Sequence, residues 1–230
     1  MNNYRFLPHV FLTVLLAWTV SFASVAHAAA DEKPPGVLVE NLFNEMNEKL
    51  QADQEKIEAD RAHLLALGNE VLGPYVAFDK MAKKVLGKHW KKITKDQQER
   101  YTKAFQERVS LAMVSQYDPS KRYALKVTGE RRNKKGNLVL VKSAVKELSG
   151  ASSYLIDYKL YRNKKTQQWQ VYDVIVEGIS VLQSFKSASA EEIKKNGIEK
   201  LIEQLEVSPE ETVGKPANDI VAKVEVKETE

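Results

Sequence analysis

The feature that most constrains this chain is a change of period. Tyr101, Phe105, Val109, Met113 and Tyr117 recur every four positions, and Ala104, Leu111 and Ala112 widen the row into one apolar helix face. After Ser120 the spacing falls to two, with Tyr123, Leu125 and Val127 alternating with Arg122, Lys126 and Thr128. "NLVLVKSAVKEL" places Val139, Val141 and Val145 on one side of a strand, and "SSYLIDYKLYR" does the same with Tyr154, Ile156, Tyr158 and Leu160. The links "NKKGN", "SGAS" and "NKKTQQ" are too short for crossovers, so consecutive strands must be antiparallel neighbours. Helices, then a meander completed by Trp169 to Val176, then helix again, define an α+β chain. Its antiparallel sheet has four to five strands, with helices gathered on one face.

The helical parts carry their own punctuation. Asp31 to Gly36 reads as a turn-rich leader, and Leu38, Leu42, Phe43, Met46 and Leu50 fall at helical spacing after it. "QADQEKIEADRAH" suits a short helix and turn, and Leu64 to Leu72 a second helix closed by Gly73-Pro74. "FDKMAKKVL" is a short amphipathic helix ended by Gly87. Thr94 with Gln97 forms a capping box that opens the long aromatic helix, which must stop before Pro119. "WQVYDVIVEGISVLQSF" (Trp169 to Phe185) reads as a buried strand. A helix is expected to open at the capping box Ser189/Glu192 and to stop at Asn196-Gly197, with "IEKLIEQL" as the last helix.

The two ends differ from the middle. Arg5, an apolar stretch from Val10 to Val25, and then Ala26-His27-Ala28 or Ala28-Ala29-Ala30 make residues 1–28 a secretory signal peptide, cleaved after Ala28 or Ala30. Polar residues break the apolar stretch, which argues against a retained membrane anchor. The folded domain then spans 29–206, and 207–230 is a polar, acidic tail expected to be disordered. There is no cysteine, so an exported fold of this kind must be held by its core alone. The formal net charge is +4, yet Lys121 to Lys165 is densely basic, with only Glu130, Glu147 and Asp157 as acids. Such a stretch suits a solvated sheet face, or a rim for lipid phosphates or an acidic partner. Nucleic acid is not an expected partner of an exported chain.

Catalytic patterns are sparse. Beyond the leader only His63 and His89 remain, neither in ligand spacing, and no metal site is expected. No nucleophile elbow, S-x-x-K or glycine-rich phosphate loop occurs. Asp173 and Glu177 are the exception, two acids within an apolar strand. Four residues apart in a strand means about 13 Å along one face, unless a bulge intervenes. One buried acid could act as general base in a small cone-shaped isomerase- or hydrolase-like enzyme. The favoured reading is structural and not enzymatic. Asp173 then accepts hydrogen bonds from a helix N-terminus or an Arg, and Glu177 begins the turn at Gly178.

"LGPYVAFDKMAKKVLGKHWKKITKDQQERYTKAFQERV" (Leu72 to Val109) resembles the periplasmic MlaC family, also called toluene-tolerance auxiliary proteins. The matching features are a Leu-x-Pro-Tyr-Val entry, Val-Leu-Gly, an aromatic, a Thr-x-x-Gln cap and an aromatic helix stripe. "WQVYDVIVEGISVLQSF" and "IKKNGIEKLIEQL" are similar to the family's C-terminal signature. Gly73 lengthens the entry by one residue, Lys95 stands where a Pro usually follows the cap, and the acidic tail is extra.

The resemblance implies a twisted antiparallel sheet wrapped by helices around an apolar lipid cavity. It implies a monomeric periplasmic phospholipid carrier, with bound lipid as cargo and no cofactor. Its partners would be an outer-membrane lipoprotein–porin complex and an inner-membrane ABC transporter with an MCE-domain ring, and its role the maintenance of outer-membrane lipid asymmetry. The lining it implies is Val76, Met81, Val85, Leu86, Phe105, Val109, Met113, Ile156, Tyr158, Val171, Val174, Val176 and Ile179.

Overall fold

Strands β1 (Tyr123–Arg132), β2 (Leu138–Glu147), β3 (Ser153–Arg162), β4 (Trp169–Val176) and β5 (Ile179–Ser180) form one five-stranded sheet in sequence order. Every neighbouring pair is antiparallel, as short links dictate. The computed structural model describes residues 33–115, 118 and 121–207, without the side chains of 61 and 113–115. The expected signal peptide and nearly all of the expected tail lie outside the described residues. Among the described residues six α-helices accompany the sheet: α1 (Pro35–Ala52), α2 (Gln54–Ala59), α3 (Arg61–Leu72), α4 (Phe78–Leu86), α5 (Lys95–Ser115) and α6 (Val181–Glu206).

Alternation gives the sheet two faces. In β2, Val139, Val141, Ser143 and Val145 are buried while Leu138, Lys142 and Lys146 are exposed. Register carries the inner face across: Val139 opposes Leu160, Val141 opposes Tyr158, and Ser143 opposes Ile156. Two bulges adjust it. The pairing of β1 with β2 shifts between Val127 and Gly129, where Gly129 interrupts an alternating run. That of β3 with β4 shifts so that Val171 opposes Leu160 but Asp173 opposes Lys159, leaving Tyr172 as the extra residue. Val171 and Val174 therefore share the inner face, and Asp173 is turned to the outer face with Lys159.

Three apolar clusters follow. Leu38, Val39 and Leu42 of α1 pack on Val139, Val141, Leu160, Trp169 and Val171 of the inner face. Phe78, Met81, Ala82, Val85 and Leu86, at i, i+3, i+4, i+7 and i+8 of α4, pack with α5 and α6 into a helical core. There Phe105 stacks near Tyr101 (5.9 Å between centroids) and meets Phe185 edge-on (5.3 Å). Ile57, Leu64 and Leu67 form a small third cluster with Met46 and Leu50. The backbone at Val76–Ala77 joins the first two, because Ala77 N–H donates to the Val171 carbonyl (2.8 Å) and Val76 bridges Val171.

Two sequence expectations are corrected. Pro35 and Gly36 belong to α1 and are buried, where a leader was expected. Proline suits a first helical turn because its missing N–H would have no partner there. Gly36 N–H donates to Glu130 Oε1 (2.7 Å), and a Cβ at Gly36 would stand 2.6 Å from that oxygen. The second concerns Trp169 to Phe185, which is not one strand. Glu177 (φ 47°) and Gly178 (φ 82°) make the tight turn between β4 and β5, and α6 begins at once. Its cap is Ser180, whose hydroxyl accepts from Gln183 N–H (3.0 Å), while Ser189 lies buried in mid-helix. The break at Gly197 is present (φ 86°, ψ 171°). The Thr94/Gln97 box forms reciprocally, each hydrogen bond 3.1 Å long.

Candidate functional site on the inner sheet face

Helix α1 and the Gly73–Tyr75 turn cover only part of the inner face. Under them Val139, Val141 and Leu160 are 0–2% exposed. Tyr158 and Val174 lie at the margin of that cluster and are half-buried. Beyond them on the same face come Ile156, Val176 and Ile179, all half-buried, and then Tyr154, which is exposed. Val176 opposes both Ile156 and Ile179, so these three form one apolar row. The half-covered strip is thus continuous from Tyr158 and Val174 to the β4–β5 turn.

One polar group stands in this strip. Among the described residues the Tyr158 hydroxyl has no hydrogen-bond partner, and burial alone pushes its pKa up to about 12. By register Val141 and Val174 are the cross-strand neighbours of Tyr158, and Ile156 follows it on the same face. Ser143, also on this face, is different: its hydroxyl donates to the Ile156 carbonyl at 2.6 Å.

The residues expected to line a cavity separate into two groups. Ile156, Tyr158, Val171, Val174, Val176 and Ile179 share the inner face. Met81, Val85, Leu86, Phe105 and Val109 are 0–3% exposed inside the helical core, where neighbouring side chains enclose them. Val76 packs on that core and bridges to Val171, touching both groups. The Met113 side chain lies outside the described residues. Sequence periodicity missed Leu125 and Val127 as margins of the strip, although their alternation marked the face. It also missed Glu40, whose carboxylate accepts from the bulged Val127 N–H (3.0 Å) and ties α1 to β1.

Asp173 and Glu177 have separate structural duties. The Asp173 side chain is 2% exposed and pairs with Lys159 Nζ at 2.9 Å, a Lys where an Arg was one expectation. It also accepts from the Ser180 hydroxyl (2.8 Å) and from Leu182 N–H (3.1 Å), at the start of α6. Glu177, with its backbone in the left-handed region, accepts from Leu155 N–H through its carboxylate and donates its own N–H to the Leu155 carbonyl. The two carboxylates therefore tie different elements, Asp173 the start of α6 and Glu177 the edge of β3. His63 is bonded to Asp53 (2.8 Å), and His89 sits in the short turn after α4. Among the described residues no group of three or more His, Asp or Glu is placed to hold a metal, and no helix is long and apolar enough to cross a membrane.

Comparison with known proteins gives this geometry a context. The family model described as MlaC protein matches residues 40–207, most of the chain and nearly all of its described part. The chain belongs to the MlaC family. It is 24% identical over 199 residues to the intermembrane phospholipid transport system binding protein MlaC of Haemophilus influenzae, covering 86% of this chain and 93% of that one. Among solved structures, a phospholipid-binding protein from Ralstonia solanacearum, in complex with a phospholipid, matches with a TM-score of 0.66. That match is 17% identical and covers 74% of this chain and 93% of the other, so it shows the α+β fold. The sheet-and-helix architecture of this MlaC chain is thus a known one.

Proposed function

We propose that the chain is a phospholipid carrier of the envelope and not an enzyme. The observation that carries this reading is the strip from Tyr158 to Ile179, an apolar sheet face left half-covered beside a closed helical core. An acyl chain laid on it would cover what α1 leaves open. The names of the relatives support it: the Haemophilus protein is the binding protein of a phospholipid transport system, and the Ralstonia protein holds a phospholipid.

The finer reading has the exported domain, residues 29–206, working as a soluble monomer in the periplasm. It passes lipid between an outer-membrane lipoprotein–porin complex and an inner-membrane ABC transporter with MCE domains, and so maintains lipid asymmetry. Energetics fit a shuttle that needs docking partners. Each buried CH₂ is worth roughly 0.8 kcal/mol, so two long acyl chains are held against water by about 20 kcal/mol. Release into water is then prohibitively slow, whereas transfer to another apolar site is nearly neutral. No bond needs to be made or broken in this chain, and no cofactor is required.

Native mass spectrometry of the purified protein, followed by organic extraction, tests the reading. One phospholipid per chain is the expected result. A protein that is empty and takes up no lipid from vesicles would overturn it.

A further inference from the structure

Tyr158 carries chemistry that a purely apolar strip does not need. Along β3 the inner face runs from Leu160, which is closed, through half-buried Tyr158 and Ile156 to exposed Tyr154. Tyr158 packs at the margin of the cluster that includes α1, so it stands at the step from covered to half-covered sheet. Tyr101 makes the contrast. Its side chain is 0% exposed and its unpaired hydroxyl is sealed inside the helical core, where no ligand reaches it. Tyr158 keeps part of its surface open.

The hydroxyl is a donor waiting for an acceptor. Ser143, the other polar side chain beside this part of the face, already donates to the Ile156 carbonyl. Among the described residues nothing takes the Tyr158 proton, and burial raises its pKa to about 12, so the proton stays in place at neutral pH. Water can serve the group while the strip is bare. An acyl chain laid across the strip would remove that water and offer no acceptor in return, and an O–H left stripped and unpaired weakens binding roughly fivefold or more. A phospholipid has acceptors that avoid this loss. Its phosphate is charged and costly to bring against an apolar face. Its ester carbonyls are neutral, and they lie at the boundary between acyl chains and headgroup. A tyrosine with an apolar ring and a polar tip suits that boundary, as tyrosines do at the interface of a bilayer.

We propose that Tyr158 donates a hydrogen bond to an ester carbonyl of the bound phospholipid, fixing the depth at which the lipid lies on the strip. The inference rests on the carrier reading and adds a chemical preference to it. Ester-linked lipid is held better than an ether-linked lipid of the same headgroup and chain length, because the ether lacks the carbonyl.

The test incubates protein produced from the full-length sequence with vesicles holding equal amounts of ester-linked and ether-linked phosphatidylglycerol. The protein is then separated, and its lipid is extracted and measured by mass spectrometry. Wild type should enrich the ester form roughly fivefold, and Tyr158→Phe should take both forms equally while keeping its circular dichroism spectrum. The ratio reads the hydrogen bond itself, because a change in packing alone would affect both lipids alike. Equal uptake of the two forms by wild type would overturn the proposal, as would an ester preference that survives in Tyr158→Phe. Uptake of neither lipid by wild type would overturn the carrier reading as well, which is a different result from uptake without preference.

Discussion

Lys159 and Asp173 face each other across β3 and β4 with Nζ and Oδ2 2.9 Å apart, but their environments are unequal: the Lys side chain is 37% exposed and the Asp side chain 2%. The carboxylate is therefore the costly partner. Asp173 also holds Ser180 and Leu182, so it fastens the first turn of α6 to the bulged strand. Asp173→Ala removes a charge-assisted cap and leaves Ser180 and Lys159 without their acceptor. A loss of about 2–4 kcal/mol is expected in urea unfolding. Lys159→Met should be harmful too, because it strands a buried carboxylate.

Gly197 offers a backbone test. Its φ of 86° and ψ of 171° lie in a region open essentially to glycine alone, and no side chain crowds the position. The segment after it is tied back to α5: Arg100 pairs with Glu199 and Glu206 at 2.6 Å, and Arg108 donates to the carbonyls of Leu205, Gln204 and Val207. These contacts fix where the last turns lie, so the chain cannot relax into a straight helix without breaking them. Gly197→Ala should cost about 1–3 kcal/mol by thermal or urea unfolding, despite alanine's better helix propensity. A stabilised Gly197→Ala variant would mean that the kink is not held by those contacts.

Much of this architecture was legible, and the failures have physical causes. Antiparallel order followed from link length, and α4 from its apolar spacing, because both are local properties. Asp173 was expected to accept from a helix N-terminus or an Arg and Glu177 to begin the turn at Gly178; Asp173 accepts from Leu182 N–H at the start of α6, with Lys159 in place of an Arg, and Glu177 stands in that turn. The end of β4 was not legible. "VIVEGISVL" is rich in β-branched residues, and only the Glu177-Gly178 turn and the Ser180 cap divert it into a helix. The lining was mixed for a deeper reason. Apolar spacing records which face of an element is turned inward, and Met81, Phe105 and Val174 all satisfy it. It does not record whether another side chain arrives to fill the space.

Alkaline unfolding should report the buried tyrosines. Burial pushes Tyr158 up to about 12 from an ordinary value near 10. Burial likewise raises Tyr101, whose hydroxyl is enclosed beside Ser189 without a hydrogen bond of good geometry. A folded-state pKa above the unfolded one means that the native protein keeps a proton the unfolded chain releases. The contribution to stability is complete below pH about 10 and is lost as pH rises towards 12. Tyr158→Phe should flatten the decline over that window and leave stability at pH 7 within about 1 kcal/mol, since the hydroxyl has no partner to lose. Denaturant midpoints measured from pH 8 upward, for both proteins, check this.

The two groups of candidate lining residues make opposite predictions, and that contrast is the sharpest test of the site. Phe105 is 0% exposed in the α4–α5–α6 core and touches Tyr101 and Phe185. Phe105→Ala should cost about 3–5 kcal/mol, because a cavity opens among side chains that cannot all collapse into it. Val174 and Ile156 are half-buried on the inner face, where part of each side chain stays open to solvent. Val174→Trp or Ile156→Trp should therefore fold with a near-normal denaturant midpoint, while copurified phospholipid falls several-fold. Unfolding of both Trp variants would place these residues in closed core like Phe105. Normal folding with undiminished lipid would instead move the cargo off the strip between Tyr158 and Ile179.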